Sequence, residues 1–286
     1  MSASEPKRRP LHGHLHKLHG VRLKLNRAQE HADALRADIG AWFARHPYEV
    51  YGVYEAGPPE EYVFRVRFLE PVPPTWAIVL GDFAHNARSA LDHLAYVIVL
   101  ENNGGRDEYT QFPIALSPFA WEREAHRGIR NASVRHREII ETFQPYHRPD
   151  LHGRKWIFAT IDDPLAILHR LSNIDKHSVL HATPAAIQAI GFNFVPVRDI
   201  ATVANQYTVP SDFLEDDGVL IRVGITSDGP EPLLRLRRQE TVEIRVQYRV
   251  DLLDSYTLQN VPLLETMDSI LERVRELYQV FVDELK

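Results

Sequence analysis

The sequence predicts an α+β fold: a helical bundle with an inserted β-hairpin and a small antiparallel sheet. Apolar residues recur at three- and four-residue spacing in long stretches near both ends and in the centre of the chain, which is typical of bundle helices. Runs rich in valine and aromatic residues are confined to about residues 48–70 and 189–251. Because helical and strand-like stretches are segregated along the chain, α+β is favoured over α/β.

The composition predicts a cytoplasmic protein without membrane contacts. The 286 residues are 44% hydrophobic and 25% charged, and the formal charge of −6 gives no general nucleic-acid signature, so RNA binding would need a local basic patch. No apolar run approaches the roughly 20 residues of a membrane span, and the N-terminus lacks the apolar core of a secretory signal. The absence of cysteine excludes disulfides, thiolate metal sites and a cysteine nucleophile, and it fits the cytoplasm.

The chain begins with a predicted disordered tail, residues 1–15, and continues into a long helix. No acidic or cysteine partner accompanies the histidines of this region, so a polar lead-in is favoured over a metal-binding tail. These histidines are His12, His14, His16 and His19. From Lys17 to His46, apolar residues keep a heptad spacing that suits packing along another long helix, and Pro47 ends the pattern.

A hairpin and a central helix come next. Two strand-like runs within 48–70 flank a Gly-Pro-Pro turn, and alternation in the second run predicts one buried face. The helix predicted from Trp76 to Leu100 has an apolar stripe that faces the core. The stripe consists of Leu80, Phe83, Ala87, Leu91, Leu94 and Ile98.

The second half of the chain predicts further helices around the strands of 189–251. Helices are expected from Ser117-Pro118 to about Gly128, from Ser133 to Phe143, and from the cap at Asp163-Pro164 to about His181. The last helix, Val261–Lys286, has a heptad seam that matches the seam of the first helix. Because this helix returns to the bundle, residues 16–286 are predicted to form a single domain.

Two polar clusters are the candidate functional sites. The central helix carries imidazoles, short carboxylates, an amide and a hydroxyl opposite its apolar stripe, whereas an ordinary solvated face would carry more Lys and Glu. A later helix places His169, Asn173 and His177 on one face by their four-residue spacing, with Asp175 and Lys176 nearby. We expect these two clusters to touch in the fold.

The motifs resemble two families. Asn-x-Arg-Ser-Ala-Leu-Asp-His at 86–93, together with Asn-x-Asp-Lys-His at 173–177, resembles a broad family of uncharacterised bacterial proteins, from the first helix to the second motif. Arg88 and His93 also fit the R-x4-H motif of HEPN domains, helical bundles that include many metal-independent ribonucleases of toxin–antitoxin and antiviral systems. This resemblance implies that Arg88 and His93 are catalytic and meet their symmetry mates in a homodimer. Ser89 stands where that motif usually has Asn, and the β insertions depart from the family.

The resulting hypothesis is a HEPN-like, metal-independent RNA endonuclease of the toxin or defence type. His93 would move protons to or from the ribose and leaving oxygens, and Arg88 would hold the phosphate. Lys176 and His177 would add positive charge. A supporting polar cluster completes the site: His85, Asn86, Ser89, Asp92, Asn173, Asp175, Lys176 and His177.

Two alternatives remain open. One is a metal-binding helical-bundle enzyme, because Asp and His side chains supply oxygen and nitrogen ligands for a divalent metal in a bundle core. Its ligands would be Asp82, His85, His93, His169 and His177. The other is a non-catalytic dimeric binding or structural protein, in which the polar residues form a buried network that fixes helix register or a homodimer interface.

Overall fold

The computed structural model describes residues 17–102, 108–147, 162–177, 181–186, 193–208, 214–237, 242–252 and 255–286. The predicted α+β class is confirmed, because long helices accompany antiparallel sheets. The helices are α1 (His19–Ala44), α2 (Thr75–Glu101), α3 (Pro118–Ile129), α4 (Val134–Thr142), α5 (Pro164–His177) and α6 (Leu263–Glu284). The predicted tail, residues 1–15, lies outside the described residues, as do His12, His14 and His16.

The described strands form three antiparallel sheets, ordered β1-β2-β6-β5, β3-β8-β9 and β4-β7. Because β2 pairs with β1 on one side and β6 on the other, the two predicted β insertions share one sheet. The strands are β1 (Tyr48–Glu55), β2 (Glu61–Phe68), β3 (His181–Ala186), β4 (Phe194–Arg198), β5 (Ile200–Thr208), β6 (Val219–Ser227), β7 (Leu233–Leu236), β8 (Val242–Leu252) and β9 (Ser255–Pro262).

The described chain divides into two compact units. The helical unit draws on the described parts of 1–32, 81–177 and 267–286, and the sheet unit on those of 33–80 and 178–266. The predicted single domain over 16–286 stays a prediction. None of the described helices is both long and apolar enough to cross a membrane.

The helical unit is built around α2 and the two terminal helices. All six residues of the predicted α2 stripe are buried, and Ala84, Ala90 and Ala95 of the same helix are fully buried too. Small residues on several sides of a helix allow neighbouring helices to approach closely. Arg275 of α6 donates a hydrogen bond to the side-chain oxygen of Gln29 on α1, at 2.6 Å. The matching seams predict that the terminal helices pack on each other or on the central helix, and this bond shows that they contact each other.

The sheet unit contains the predicted hairpin. β1 and β2 pair from Tyr48 opposite Phe68 to Glu55 opposite Glu61. Tyr62, Phe64 and Val66 are buried, as the alternation predicts, but Val63 on the opposite face is buried as well. The prediction of one buried face is therefore incomplete, because the chain also covers the opposite face of β2 at Val63.

Two boundary predictions are wrong. The helix expected to reach His181 ends at His177, and residues 181–186 form strand β3 instead. β3 contains Pro184 and lies at a sheet edge, where a strand tolerates proline. Residues 255–262 form β9, so the last helix begins at Leu263. Both strands are specified by pairing with β8, which local periodicity does not reveal.

Candidate functional site

The central helix α2 turns its two motif residues toward different neighbours. Arg88 faces the segment 111–114, whereas His93 lies over Gly20 of α1. A Cβ atom added to Gly20 would lie 2.9 Å from His93 Nδ1, so a larger residue at position 20 would displace the imidazole from this position. The five-residue separation corresponds to about 140° on an ideal helix, which explains the divergence. His93 is exposed and is not among the residues that line the Arg88 pocket.

Arg88 is held in place by Asp92 and Phe112. Its Nε and Nη2 atoms donate to the two Asp92 carboxylate oxygens, at 3.3 and 3.0 Å, and Nη2 also donates to the Phe112 carbonyl oxygen at 2.5 Å. Asp92 Oδ1 accepts the Phe112 backbone N–H at 2.9 Å. The Arg88 side chain is 12% exposed and that of Asp92 36%. The Arg88–Asp92 ion pair is therefore hydrogen-bonded to both the N–H and the carbonyl oxygen of Phe112.

Gln144 holds the other end of the same loop. It is fully buried, accepts the Ala115 N–H at 2.7 Å, and donates to the carbonyl oxygens of Pro113 and Ile140. The sequence gives one signal for this loop, the apolar Phe-Pro-Ile run at 112–114 in a polar connection. No pattern in the sequence singles out Gln144.

A polar pocket of about 100 Å³ lies between α2, the loop, α3 and α5. Arg88 and Asp92 contribute from the first predicted cluster, and His169 and Asn173 from the second, so the predicted meeting of the two clusters is confirmed. Arg88 Nη1 is buried and has no hydrogen-bond partner. The other lining residues are Gln111, Phe112, Ile114, Glu124 and Ser172.

The α5 cluster is only partly described. Asn173 Nδ2 lies 3.1 Å from His169 Nε2, and Ser172 is buried beside them. Asp175 is exposed and lies against α2, where a Cβ atom added to Gly81 would overlap its carboxylate. Lys176 and His177 belong to the last turn of α5, but their side chains lie outside the described residues.

The remaining predicted site residues lie away from the pocket. Asp82 and His85 are exposed, Ser89 is half-buried, and the Asn86 amide donates to the Asp82 carbonyl oxygen at 2.8 Å. Among the described residues, no three His, Asp or Glu side chains converge as a metal site would require. His177 of the alternative ligand set falls outside that search.

A larger groove of about 950 Å³ runs between α1 and α6. Residues such as Leu25, Glu272 and Tyr278 line it, and it contains none of the predicted site residues. The smaller pocket is therefore the better candidate site despite its size, because it collects buried charge and polar side chains from four segments.

Comparison with known proteins identifies no relative: no family model, no curated protein and no solved structure matches the chain. The two resemblances drawn from the motifs stay predictions.

Proposed function

We propose that the chain is a metal-independent RNA endonuclease of the toxin or defence type, active in the cytoplasm as a homodimer. Arg88 and His93 are its catalytic residues. The observation that supports this proposal is the exposed imidazole of His93 on α2, one turn beyond an arginine whose Nη1 lacks a protein partner. The R-x4-H spacing thus coincides with an exposed imidazole and with a guanidinium that has one N–H group without an acceptor in the protein.

His93 performs the proton transfers. The His93 imidazole takes the proton from a ribose 2′-hydroxyl as its oxygen attacks the adjacent phosphorus, and the resulting imidazolium gives the proton to the departing 5′-oxygen. The products are a 2′,3′-cyclic phosphate and a 5′-hydroxyl, so the step balances without water or a redox partner. Gly20 of α1 lies against one side of the His93 ring and limits the orientations that the ring can adopt.

Arg88 stabilises the negative charge on the phosphate. Its Nε and Nη2 atoms are fixed by Asp92 and Phe112, which orients the guanidinium. Nη1 is buried without an acceptor, and RNA binding would have to uncover it before it donates to a phosphate oxygen. Since Arg88 and His93 diverge on one helix, the histidine that acts with each arginine belongs to the second copy. This divergence is the support for the homodimer.

An RNA-cleavage assay in EDTA tests the proposal. Wild-type protein is expected to cleave, and His93→Ala to lose at least a hundredfold in rate because general acid–base catalysis contributes about that much. His126→Ala removes another exposed imidazole, from α3, and is expected to cleave like wild type. Equal rates for all three proteins, or no cleavage by folded wild type on single-stranded and structured RNA, would sink the nuclease proposal.

Mixing two inactive variants tests the shared site. Arg88→Lys and His93→Ala are each expected to be inactive as homodimers. Their mixed dimer has one site with a native arginine from one copy and a native histidine from the other, so activity is expected to return. If both groups act from the same chain, no intact site forms and the mixture stays inactive.

A non-catalytic role is the second candidate, and one observation favours it. The Arg88–Asp92 pair bonds both backbone groups of Phe112, which is what a purely structural network does. In that case Arg88→Lys lowers the free energy of unfolding, and neither wild type nor any variant cleaves RNA above a buffer control.

A further inference from the structure

One side of α3 exposes an aromatic ring that the fold does not use. Phe119, in the first turn, is 87% exposed, more than any other large hydrophobic side chain in the described part of the chain. Ser117 and Pro118 start the helix, and other residues supply its buried side. These are Trp121, Ala125, Gly128 and Ile129. Because single apolar side chains are common on protein surfaces, the neighbours of Phe119 decide what the ring can bind.

Arginines accompany Phe119 along the outside of the helix. At about 100° per residue, Arg123 and Arg130 lie within about 40° of Phe119 around the helix axis. Both are exposed, and the Arg123 side chain is 72% exposed. Arg123 bonds Glu124 at 2.9 Å, but an exposed pair of this kind is weak, so its guanidinium can turn to a phosphate instead.

A second ring lies near the other end of α3. The Gln111 N–H donates to the Gly128 carbonyl oxygen at 3.2 Å, so the residues just before Gln111 pass the end of this helix. Tyr109 is 50% exposed, and the Arg127 guanidinium lies over its ring, 5.6 Å from the centroid. Along the helix axis, Arg127 is about 12 Å from Phe119. We call the whole set the α3 surface: Phe119, Arg123, Arg127, Arg130 and Tyr109.

The combination of rings and guanidinium groups fits a single-stranded nucleic acid. Unpaired bases stack on aromatic side chains and phosphates pair with arginine, whereas the bases of a duplex already stack on each other. Between residues 118 and 130, three arginines outnumber two glutamates, so this helix supplies a local basic patch on a chain of formal charge −6. A lipid surface needs a broad apolar face, which the exposed side of α3 does not offer.

We propose that the α3 surface binds a single-stranded segment of RNA, with one base stacked on Phe119 and phosphates on the arginines. This proposal rests on the proposed ribonuclease function, which selects RNA among the nucleic acids. Glu124 of the same helix lines the Arg88 pocket, so RNA held on the α3 surface lies next to the candidate site.

Fluorescence anisotropy with a short labelled RNA that lacks secondary structure tests the proposal. Full-length His93→Ala in EDTA is the parent protein, so that the RNA is not consumed. Adding Phe119→Ala is expected to weaken binding about tenfold, because stacking of one base on an aromatic ring contributes about that much. Adding Phe119→Tyr keeps the ring and is expected to leave the parent affinity. Position 119 is exposed, so neither change disturbs the fold, which circular dichroism checks.

The salt dependence of binding tests the basic part of the surface. Adding Arg123→Gln to the parent is expected to reduce the slope of log affinity against log salt by about 0.7, the contribution of one phosphate contact on a single strand. Arg198→Gln is the matched control. It removes another exposed arginine that pairs with a glutamate, in the sheet unit, and is expected to keep the parent slope.

Three results would overturn the α3 surface as an RNA site: no binding by the parent, parent-like affinity after Phe119→Ala, or equal affinity for a duplex of the same sequence. Vesicles of phosphatidylserine and phosphatidylcholine are titrated in parallel. Vesicle binding that Phe119→Ala abolishes, with unchanged RNA affinity, would assign the surface to lipid.

The failure of this proposal and that of the nuclease proposal are distinguishable. Wild type that binds RNA with the Phe119 dependence but does not cleave it would refute the nuclease alone. Cleavage by wild type, together with parent-like RNA affinity after Phe119→Ala, would refute the α3 surface alone.

Discussion

The Asp92 carboxylate on α2 accepts the backbone N–H of Phe112, which lies 20 residues further along the chain. Arg88 also donates to the Phe112 carbonyl oxygen. These two bonds fix Phe112, which lines the candidate pocket, against helix α2. Substitutions in this network therefore change stability as well as any ligand contact, and the two effects need separate measurements.

Replacing Asp92 with Asn is expected to lower the free energy of unfolding by about 2 kcal/mol, measured by urea denaturation. The change leaves the mostly buried Arg88 charge without its counter-ion, and partial exposure of Asp92 keeps the loss below that of a fully buried pair. Asp82→Asn, at an exposed position of the same helix, is expected to change stability by less than about 0.5 kcal/mol. Similar losses for both variants would show that the Arg88 pair is not what holds the loop.

Replacing Gln144 with Leu is expected to destabilise the fold by about 3 kcal/mol. The substitution leaves the Ala115 N–H and the Pro113 carbonyl oxygen buried without partners, and each orphaned group costs about 1–3 kcal/mol. Gln279→Leu at an exposed position of α6 is the control, expected near zero. Thermal unfolding monitored by circular dichroism compares the two, and a stable Gln144→Leu protein would refute the proposed clamp.

Two helix glycines should respond to alanine in opposite directions. A Cβ atom at Gly128 would overlap the backbone oxygen of Gln111, which cannot rotate away, so Gly128→Ala is expected to cost about 1–3 kcal/mol. A Cβ atom at Gly40 meets nothing within 4 Å on the exposed side of α1, so Gly40→Ala should gain about 0.5–1 kcal/mol. Urea denaturation of both variants checks the signs, and stabilisation by Gly128→Ala would contradict the close approach.

Stability should fall as the pH drops below about 6.5, the ordinary histidine value. Burial lowers the pKa of His136, although the negative charges of Glu284 and Glu101 act to raise it. The Nδ1 atom of His136 is buried without a hydrogen-bond partner. Below about pH 6.5 the His136 imidazole of the unfolded chain binds a proton more readily than that of the folded chain, so protonation favours unfolding. Above about pH 6.5 the imidazole is neutral in both states, and its protonation no longer affects stability. Burial also lowers the pKa of His31, which adds a term of the same sign.

Urea denaturation at pH 5.0 and 7.5 measures this pH dependence. His136→Gln is expected to lose less stability between the two pH values than wild type does. His126→Gln, at an exposed position, is expected to keep the wild-type difference. An unchanged difference in His136→Gln would show that another group causes the acid sensitivity.

Local patterns in the sequence predict most of the helix positions. Heptad seams specify the buried sides of α1, α2 and α6, and the capping signals work as local chemistry predicts. Ser117 and Ser133 accept hydrogen bonds from Ala120 and His136 at the first turns of α3 and α4. These features depend on neighbours within a few residues, so a single sequence contains the information.

The partners of the polar residues on α2 depend on how distant segments pack. Helical spacing separates Arg88 from His93 by about 140° on α2. It does not reveal that loop 111–115 bonds Arg88 and Asp92 or that α1 lies against His93. Strands β3 and β9 likewise exist because β8 pairs with them. In each case a hydrogen bond joins groups that are far apart in sequence, so it forms only where distant segments pack together, and local periodicity does not record that packing.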